Sequence, residues 1–450
     1  MLSGINQILG TASVLFFLGL TLTSLAEKEN RAFWVSGGLT LSAAVFWIAI
    51  PAAGTGVNLA VILFLIAFSI VSFVRFFPSP AKQPRGVPSI QYDERDTMFA
   101  RNNIQHYPDL MEQYFNMRPE NRSTDLQIHN KPEFGSPDQR FHDDYTAPVY
   151  DAAFEYLAQT IPLSDGVPSP EQKEVDKTKF AACLKDMVHC YGGCDTGIIP
   201  LASHHFYSHK GRHADNFGDK TDQTYKTAIV IVVPMRTVML KQSPTASVIQ
   251  ESAQKYVEAA KISNIMAGYI RKFGYRARAH NDANYETLCV PLAVESGMGE
   301  LGRMGLFMHK VYGPCVRLAV VTTDLELPPT RADRDLNMAH FCRICKKCAD
   351  NCPSGSVLTG DEPESRGCRH WSIDQERCFS YWKSIGSDCG QCVSVCPYTK
   401  PDTIMHKLVR HYISRNALNQ HIALLFDDLL YGRKRQIPAG NPARILKPGD

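Results

Sequence analysis

Nine of the fourteen cysteines lie between Cys342 and Cys396, and eight of them form two runs that each close on Cys-Pro. Cys342, Cys345, Cys348 and Cys352, followed by Pro353, have the C-x2-C-x2-C-x3-C-P spacing that holds one [4Fe–4S] cluster and lends its last thiolate to a second. Cys378, Cys389, Cys392 and Cys396, followed by Pro397, form the second run, with ten residues between its first two cysteines. Interleaving the runs gives Cys342, Cys345, Cys348 and Cys396 to one cluster and Cys352, Cys378, Cys389 and Cys392 to the other, with Cys368 a rival for the place of Cys378. The two clusters then fold together or not at all. Disulfide frameworks belong to short secreted chains, and a zinc site needs four ligands with no use for two interleaved sets. Iron held by soft thiolates serves electron transfer, so these residues point to redox chemistry.

The elements that position such clusters begin with the first 77 residues. Three apolar runs, Ile8–Ala26, Phe33–Ala53 and Val57–Phe77, are each about long enough to cross a bilayer core. No charge precedes Glu27 and none falls between Arg31 and Arg75. A secretory leader would need a basic start, which Met1–Gly10 lacks, and no twin-arginine signal is present. Lys28 and Arg31 occupy the first connection, Arg75, Lys82 and Arg85 follow the third run, and Gly54–Gly56 carries no cation. The positive-inside rule puts everything after Phe77 on the cytoplasmic side of the inner membrane, where thiols stay reduced. The net charge of +3 is too mild to argue for nucleic acid.

Pro78–Pro88 carries four prolines and reads as a linker; 78–176 as a whole reads as linker and N-terminal wrap, with a helix near Ala147–Leu157. The core domain is expected over 177–338, the cluster domain over 339–400, and a C-terminal helical segment packing on the core over 401–450. Phe180–His189 and Ala246–Phe273 have helical spacing. Thr227–Val233 is an apolar β-branched run suited to a strand buried on both faces, and Cys289–Val294 and Val316–Val321 look like two more strands. Strands alternating with helices argue α/β layers.

Gly297, Gly299, Gly302 and Gly305, with Arg303 among them, make a glycine-rich run whose backbone could approach a large planar or anionic cofactor. It lacks the dinucleotide fingerprint. Cys183, Cys190 and Cys194 fit no cluster spacing and read as buried thiols. The tract His204, His205, His209 and His213 reads as a polar loop, with metal binding as the sharper alternative.

Several phrases in order carry a family resemblance. They are Cys194-Asp-Thr-Gly-Ile-Ile-Pro-Leu201 leading to Phe206-Tyr207-Ser208, Tyr269-Ile-Arg-Lys-Phe-Gly-Tyr275, Val290-Pro-Leu-Ala-Val294 with the glycine run, Tyr312-Gly-Pro-Cys-Val-Arg317, and Thr322-Thr-Asp-Leu-Glu-Leu-Pro328. With the two cysteine runs they span about residues 177–400 and resemble corrinoid-dependent reductive dehalogenases. The resemblance implies an α/β (α+β), nitroreductase-like domain holding base-off cobalamin, with two [4Fe–4S] clusters in a ferredoxin-like insertion. Counting back from Tyr269-Ile-Arg271, it implies that Tyr256 donates the proton, that Arg317 is the cation beside it, and that Asn281 lies at the substrate end of the pocket. A free phenol has a pKa of about 10, and a neighbouring guanidinium is expected to lower it. The corrinoid motif D-x-H-x-x-G is absent, so no histidine from that motif would sit below cobalt.

The implied reaction replaces a carbon-bound halogen by hydrogen in a small organohalide, with a quinol or a reduced ferredoxin or flavodoxin as electron donor. A membrane anchor fused to the catalytic chain departs from the exported form with a separate membrane partner. Two alternatives remain. An epoxyqueuosine reductase shares cobalamin and paired clusters but is soluble and uses an aspartate as its acid. A membrane ferredoxin would only relay electrons.

Overall fold

The computed structural model describes residues 2–74, 87–133, 135–282, 284–330 and 337–435. The prolines of the expected linker from Pro78 to Pro84, the cations Arg75, Lys82 and Arg85, the last residues of the third apolar run and the chain after Arg435 lie outside them. Three apolar helices come first: α1 (Leu2–Ala26), α2 (Asn30–Ala49) and α3 (Thr55–Phe73). All three are long and apolar enough to cross a membrane. Large apolar side chains face outward, Ile48 with 79% of its surface open and Trp34 with 75%. Such exposure is costly in water and natural in lipid. Between these helices the contacts are polar or close: the Asn6 amide donates to Asn58 Oδ1 at 2.7 Å, and Gly10 lies against the Trp47 ring. Small residues and buried amides are what hold helices together where no hydrophobic effect separates them from their surroundings.

The wrap that follows is built from short helices, α4 (Met98–Asn103), α5 (Pro108–Met117), α6 (Arg122–His129) and α7 (Ala147–Thr160). Its weak periodicity is compensated by charge. The buried Arg101 guanidinium binds Asp125 at 2.5 Å and Glu376 at 2.8 Å, which ties the wrap to the cluster-bearing segment.

The core follows, with α8 (Lys177–Cys190), β1 (Asp195–Pro200), β2 (Thr227–Pro234), α9 (Thr237–Leu240), α10 (Ala246–Arg271), β3 (Ala277–His280), α11 (Cys289–Glu295), β4 (Gly299–Leu301), β5 (Phe307–His309) and β6 (Val316–Thr323). Four strands form one antiparallel sheet in the order β1-β2-β6-β3. The apolar run of β2 is buried on both faces. Ile229, Ile231 and Val233 meet α8 and the C-terminal half of α10, while Ala228, Val230 and Val232 meet α11 and the β4–β5 hairpin. The layers are therefore α+β, with antiparallel pairing.

Two segments differ from expectation. Cys289–Val294 is helical: Pro291 sits in the first turn, where its missing N–H costs nothing, and would break a central strand. Cys183 and Cys190 are exposed, because the apolar stripe of α8 is Phe180, Leu184 and Val188.

The cysteine-bearing segment comprises α12 (Met338–Cys345), α13 (Lys347–Asp350), the β7–β8 hairpin (Glu364–Ser365 with Cys368–Arg369), α14 (Gln375–Ile385) and α15 (Gln391–Ser394). Two helices close the chain, α16 (Ile404–Ile413) and α17 (Ala417–Tyr431). The described residues separate into two units. One holds α1–α3, residues 340–345 and 400–435; the other holds the wrap, the sheet and residues 346–399. The C-terminal helices, expected to pack on the α+β core, thus group with the apolar helices over residues 400–435. Their outward faces carry Ile404, Leu408 and Leu425, side chains suited to lipid.

The β4–β5 hairpin fixes most of the glycine run. A Cβ at Gly299 would lie 2.0 Å from the Met308 carbonyl oxygen, and one at Gly302 would meet the Met308 side chain at 2.7 Å. Gly299→Ala is expected to lower stability by about 3 kcal/mol, read as a drop of several degrees in the melting temperature of the purified chain, because backbone must move to admit the methyl. An unchanged melting temperature would contradict this packing.

Candidate functional site

α10 carries Ser252 and Tyr256 one turn apart, and β6 carries Arg317 on the face that packs against α10. The Arg317 guanidinium carbon lies over the Tyr256 ring at 4.8 Å from its centroid. One guanidinium nitrogen donates to Ser252 Oγ at 2.6 Å and lies 4.0 Å from Asp388 Oδ2. Ser252 in turn hydrogen-bonds Asp388, the residue just before Cys389. Arg317 Nε is buried with no protein partner. The expected pairing of Tyr256 with Arg317 is thus made in space, with Asp388 as the counter-charge.

The electrostatics differ from expectation in sign. Burial pushes the Tyr256 phenol up to about 12, outweighing the downward pull of Arg317, while Asp282 and Asp388 push it further up. At neutral pH the hydroxyl therefore keeps its proton. Asp282 and Asp388 are themselves raised, first by burial, against the pull of nearby guanidinium groups. Arg212 acts on Tyr256, Asp282 and Tyr285, and also on Tyr207.

Tyr207 lines a cavity of about 510 Å³. Its walls are largely aromatic and aliphatic, including Tyr92, Phe99, Leu301 and Trp371, and one wall holds Gly305 and another Cys378. Of the five residues of the glycine run expected at a cofactor, Gly305 lines this cavity. Gly299 and Gly302 are spent on the hairpin, and Gly297 takes a left-handed backbone with φ of 75° at its start. Arg303 is buried, stacked on Trp371 and bound to the carbonyls of Leu358 and Gly360 at 2.8 and 2.7 Å. The run thus shapes the cavity wall more than it offers amides to a ligand.

Asn281 is buried just after β3, with its side-chain oxygen unpartnered. Its amide donates to Ser263 and Asn264 on α10, each at 3.0 Å, so it holds the loop to the helix. The neighbouring Asp282 faces Tyr256 and Arg317 electrostatically. His205 accepts the Ala202 N–H at Nδ1 and lies 2.9 Å from Glu295 at Nε2. That arrangement leaves its ring without a free lone pair for a metal, although His204, His205 and Glu295 converge within 4.8 Å.

Four cysteines converge beside the cavity. Cys392 senses the charges of Cys389, Cys378 and Cys352, along with Cys348, and Cys378 and Cys389 are each raised to about 12, first by burial and then by neighbouring thiolates. Cys378, Cys389 and Cys392, each raised by burial and by neighbouring thiols, suit a cationic cluster of iron, which reverses the sign of the local field. Donors are already in place: Ser356 N–H on Cys352 at 3.3 Å, the Trp382 indole on Cys378, and the Gln391 amide on Cys389. Cys389 itself has a left-handed backbone with φ of 57°, a conformation that costs a non-glycine residue about 1–2 kcal/mol. Cys368 instead contacts the Ser365 carbonyl and His370. In the other set Cys342, Cys345, Cys348 and Cys396 are all buried.

Sequence reasoning missed Ser252, Asp388, Asp282 and Arg212. Ser252 was within reach, since it lies four residues before Tyr256 on the same helical face, and Asp388 adjoins a ligand. Asp282 and Arg212 sit in loops, and no spacing rule marks them.

Residues 341–400 match the family model of a 4Fe-4S dicluster domain. A tetrachloroethene reductive dehalogenase of Desulfitobacterium hafniense is 35% identical over 215 residues, covering 45% of this chain and 38% of its own length. The chain thus spans about two fifths of the curated relative that it matches. A solved catabolic reductive dehalogenase superposes with a TM-score of 0.63 at 20% identity, over 83% of this chain and 54% of that one. A second solved reductive dehalogenase, described with a B12-dependent mechanism, gives a TM-score of 0.56 at 21% identity, over 70% of this chain and 50% of that one. The resemblance read from the motifs holds: the chain is homologous to reductive dehalogenases and has their fold.

Cys378→Ala is expected to cut the iron content of anaerobically purified protein by about half or to abolish it, whereas Cys368→Ala leaves iron unchanged. Loss of iron from the Cys368 variant with retention in the Cys378 variant would exchange their roles.

Proposed function

We propose that the chain is a membrane-anchored, corrinoid-dependent reductive dehalogenase that converts R–X, two electrons and one proton into R–H and halide. The observation that carries this reading is a protonated, buried phenol under a guanidinium, in the same unit as a cavity with a cysteine of the second set in its wall. Residues of that cavity, Tyr207, Leu301, Gly305 and Trp371 among them, would hold the corrinoid. Its low-valent metal centre, when bound, supplies the reducing equivalents for carbon–halogen cleavage. Its mostly apolar, aromatic lining fits a large flat cofactor, and the Cys378 wall fits electron delivery from the adjacent cluster.

Two [4Fe–4S] clusters, held by Cys342, Cys345, Cys348 and Cys396 and by Cys352, Cys378, Cys389 and Cys392, pass electrons one at a time. Tyr256 holds the proton at its phenolic oxygen. Burial keeps it there until a developing carbanion beside it provides a stronger base. Once it leaves, the phenolate gains attraction to the Arg317 charge in a buried site, where opposite charges interact more strongly than in bulk water. Ser252 and Asp388 keep Arg317 over the ring, and Asn281 braces the loop that brings Asp282 to the same place. The substrate is a small organohalide.

The three apolar helices cross the inner membrane, with the catalytic part on the cytoplasmic side, where a quinol or a reduced ferredoxin or flavodoxin can donate. Lys28 and Arg31 in the first connection support that side.

Tyr256→Phe is expected to keep iron and corrinoid but lower halide release by about 10²- to 10⁴-fold, in an anaerobic assay of haloalkenes and haloaromatics with a reduced viologen. Since the acid form is the active one, that part of the rate which depends on Tyr256 holds through neutral pH and falls only as pH rises toward the phenol's value near 12. Full activity of the variant would remove Tyr256 from the reaction.

A further inference from the structure

The C-terminal helices are joined to the ends of the apolar helices at several points. The Asn416 side-chain amide, at the start of α17, donates to the carbonyls of Val71, Ser72 and Val74 at 3.0, 3.3 and 3.0 Å, and Asn419 adds a bond to Ser72 at 2.9 Å. These carbonyls lie at the C-terminal end of α3, where a helix runs out of donors of its own, although Val71 also accepts from the Val74 N–H at 3.3 Å. At the other end of α17 the Leu429 carbonyl accepts from Arg31 Nε at 3.2 Å, in the first turn of α2. For α16 the link is His406 to Glu27, at 2.8 Å, in the connection between α1 and α2.

The C-terminal end of α3 and the N-terminal end of α2 lie on the same side of a three-helix hairpin bundle, since α1, α2 and α3 alternate in direction. A helix of 15 residues, about 22 Å long, that touches that side at both ends runs across it and not through it. Along α17 the side chains of Leu418, Leu425, Phe426 and Leu429 form an outward stripe at helical spacing, with 46, 69, 37 and 44% of their surface open. Ile404 and Leu408 do the same on α16. Residues 400–435 carry seven Lys and Arg against three Asp and no Glu.

We propose that α16 and α17 form an in-plane platform embedded in the bilayer surface, with this stripe among the acyl chains at the headgroup boundary and the cations at headgroup level. The occupant of the apolar face is lipid, because the face is continuous with helices whose own outward side chains require lipid and because both ends of α17 are fixed at membrane-surface height. The cations lie on α16 and in the segments flanking α17, which itself carries Asp427 and Asp428 and no Lys or Arg, and an amphipathic segment with such flanking cations has this geometry in a bilayer. The platform rests on the reading of α1–α3 as membrane spans, and adds a second, laterally extended contact that fixes the tilt of the anchor.

The test uses the full chain in phospholipid discs with p-benzoylphenylalanine incorporated singly at Leu425, at Leu63 on the outward face of α3, or at Val167, which is 92% exposed in the other unit. After irradiation, phospholipid adducts are expected at Leu425 and Leu63, with at least tenfold less at Val167. Adducts at Leu63 with none at Leu425, or a Leu425 crosslink to a second copy or another protein, would overturn the platform and leave the spans standing. Adducts at neither Leu63 nor Leu425 would overturn both.

Discussion

A guanidinium held over a buried phenol is the contact on which the rest of this molecule turns. Burial alone would make Tyr256 a poor acid, and exposure beside Arg317 would strip its proton early. The fold sets both effects against each other, with burial ahead, so the proton is present at rest and its loss is compensated. This balance needs three elements that are far apart in sequence. α10 supplies Ser252 and Tyr256, β6 supplies Arg317, and the loop before α15 supplies Asp388. The sheet and the helix pack through fully buried aliphatic residues, which makes the geometry between them rigid.

Asp388 also joins two kinds of chemistry. It helps to fix Arg317 and immediately precedes Cys389, so the residues that tune the phenol and those that hold the second set of thiols share one turn of backbone. A change in charge at those thiols would therefore be felt at the Tyr256 phenol through a short, low-dielectric path. The cavity lies against the same region, with Cys378 in its wall. The second set of thiols, the buried phenol and the cavity all lie within the unit that contains the sheet.

What could be read in advance followed from strong local rules. The cysteine spacing, the β-branched run of β2 and the long period of α10 each leave few alternatives, and Tyr256 and Arg317 came from motif order. Cys289–Val294 misled because a short apolar run fits strand or helix equally, and Pro291 decided the matter. β1 and β3 were missed: Asp195–Pro200 holds glycine and proline, and Ala277–His280 alternates alanine with polar residues. The glycine run looked like a ligand loop, yet Gly299 and Gly302 answer to Met308 across a hairpin, a tertiary constraint that no local pattern encodes. The site of α16 and α17 was hidden for a related reason, since their amphipathic pattern shows that they need a partner surface without saying which.

The central claim is that iron–sulfur thiols in this chain feed a corrinoid lodged in its α+β unit, and that the electrons leave as carbon–halogen bonds are broken. Its most direct measurement is a single turnover: protein loaded with iron, sulfide and corrinoid is fully reduced, freed of excess reductant and mixed anaerobically with an organohalide, while cluster and corrin absorbance and free halide are followed together. The account predicts one halide released for every two electrons lost from the bound centres. Reoxidation of the clusters without halide, or a protein that takes up iron and sulfide yet retains no corrin, would contradict it.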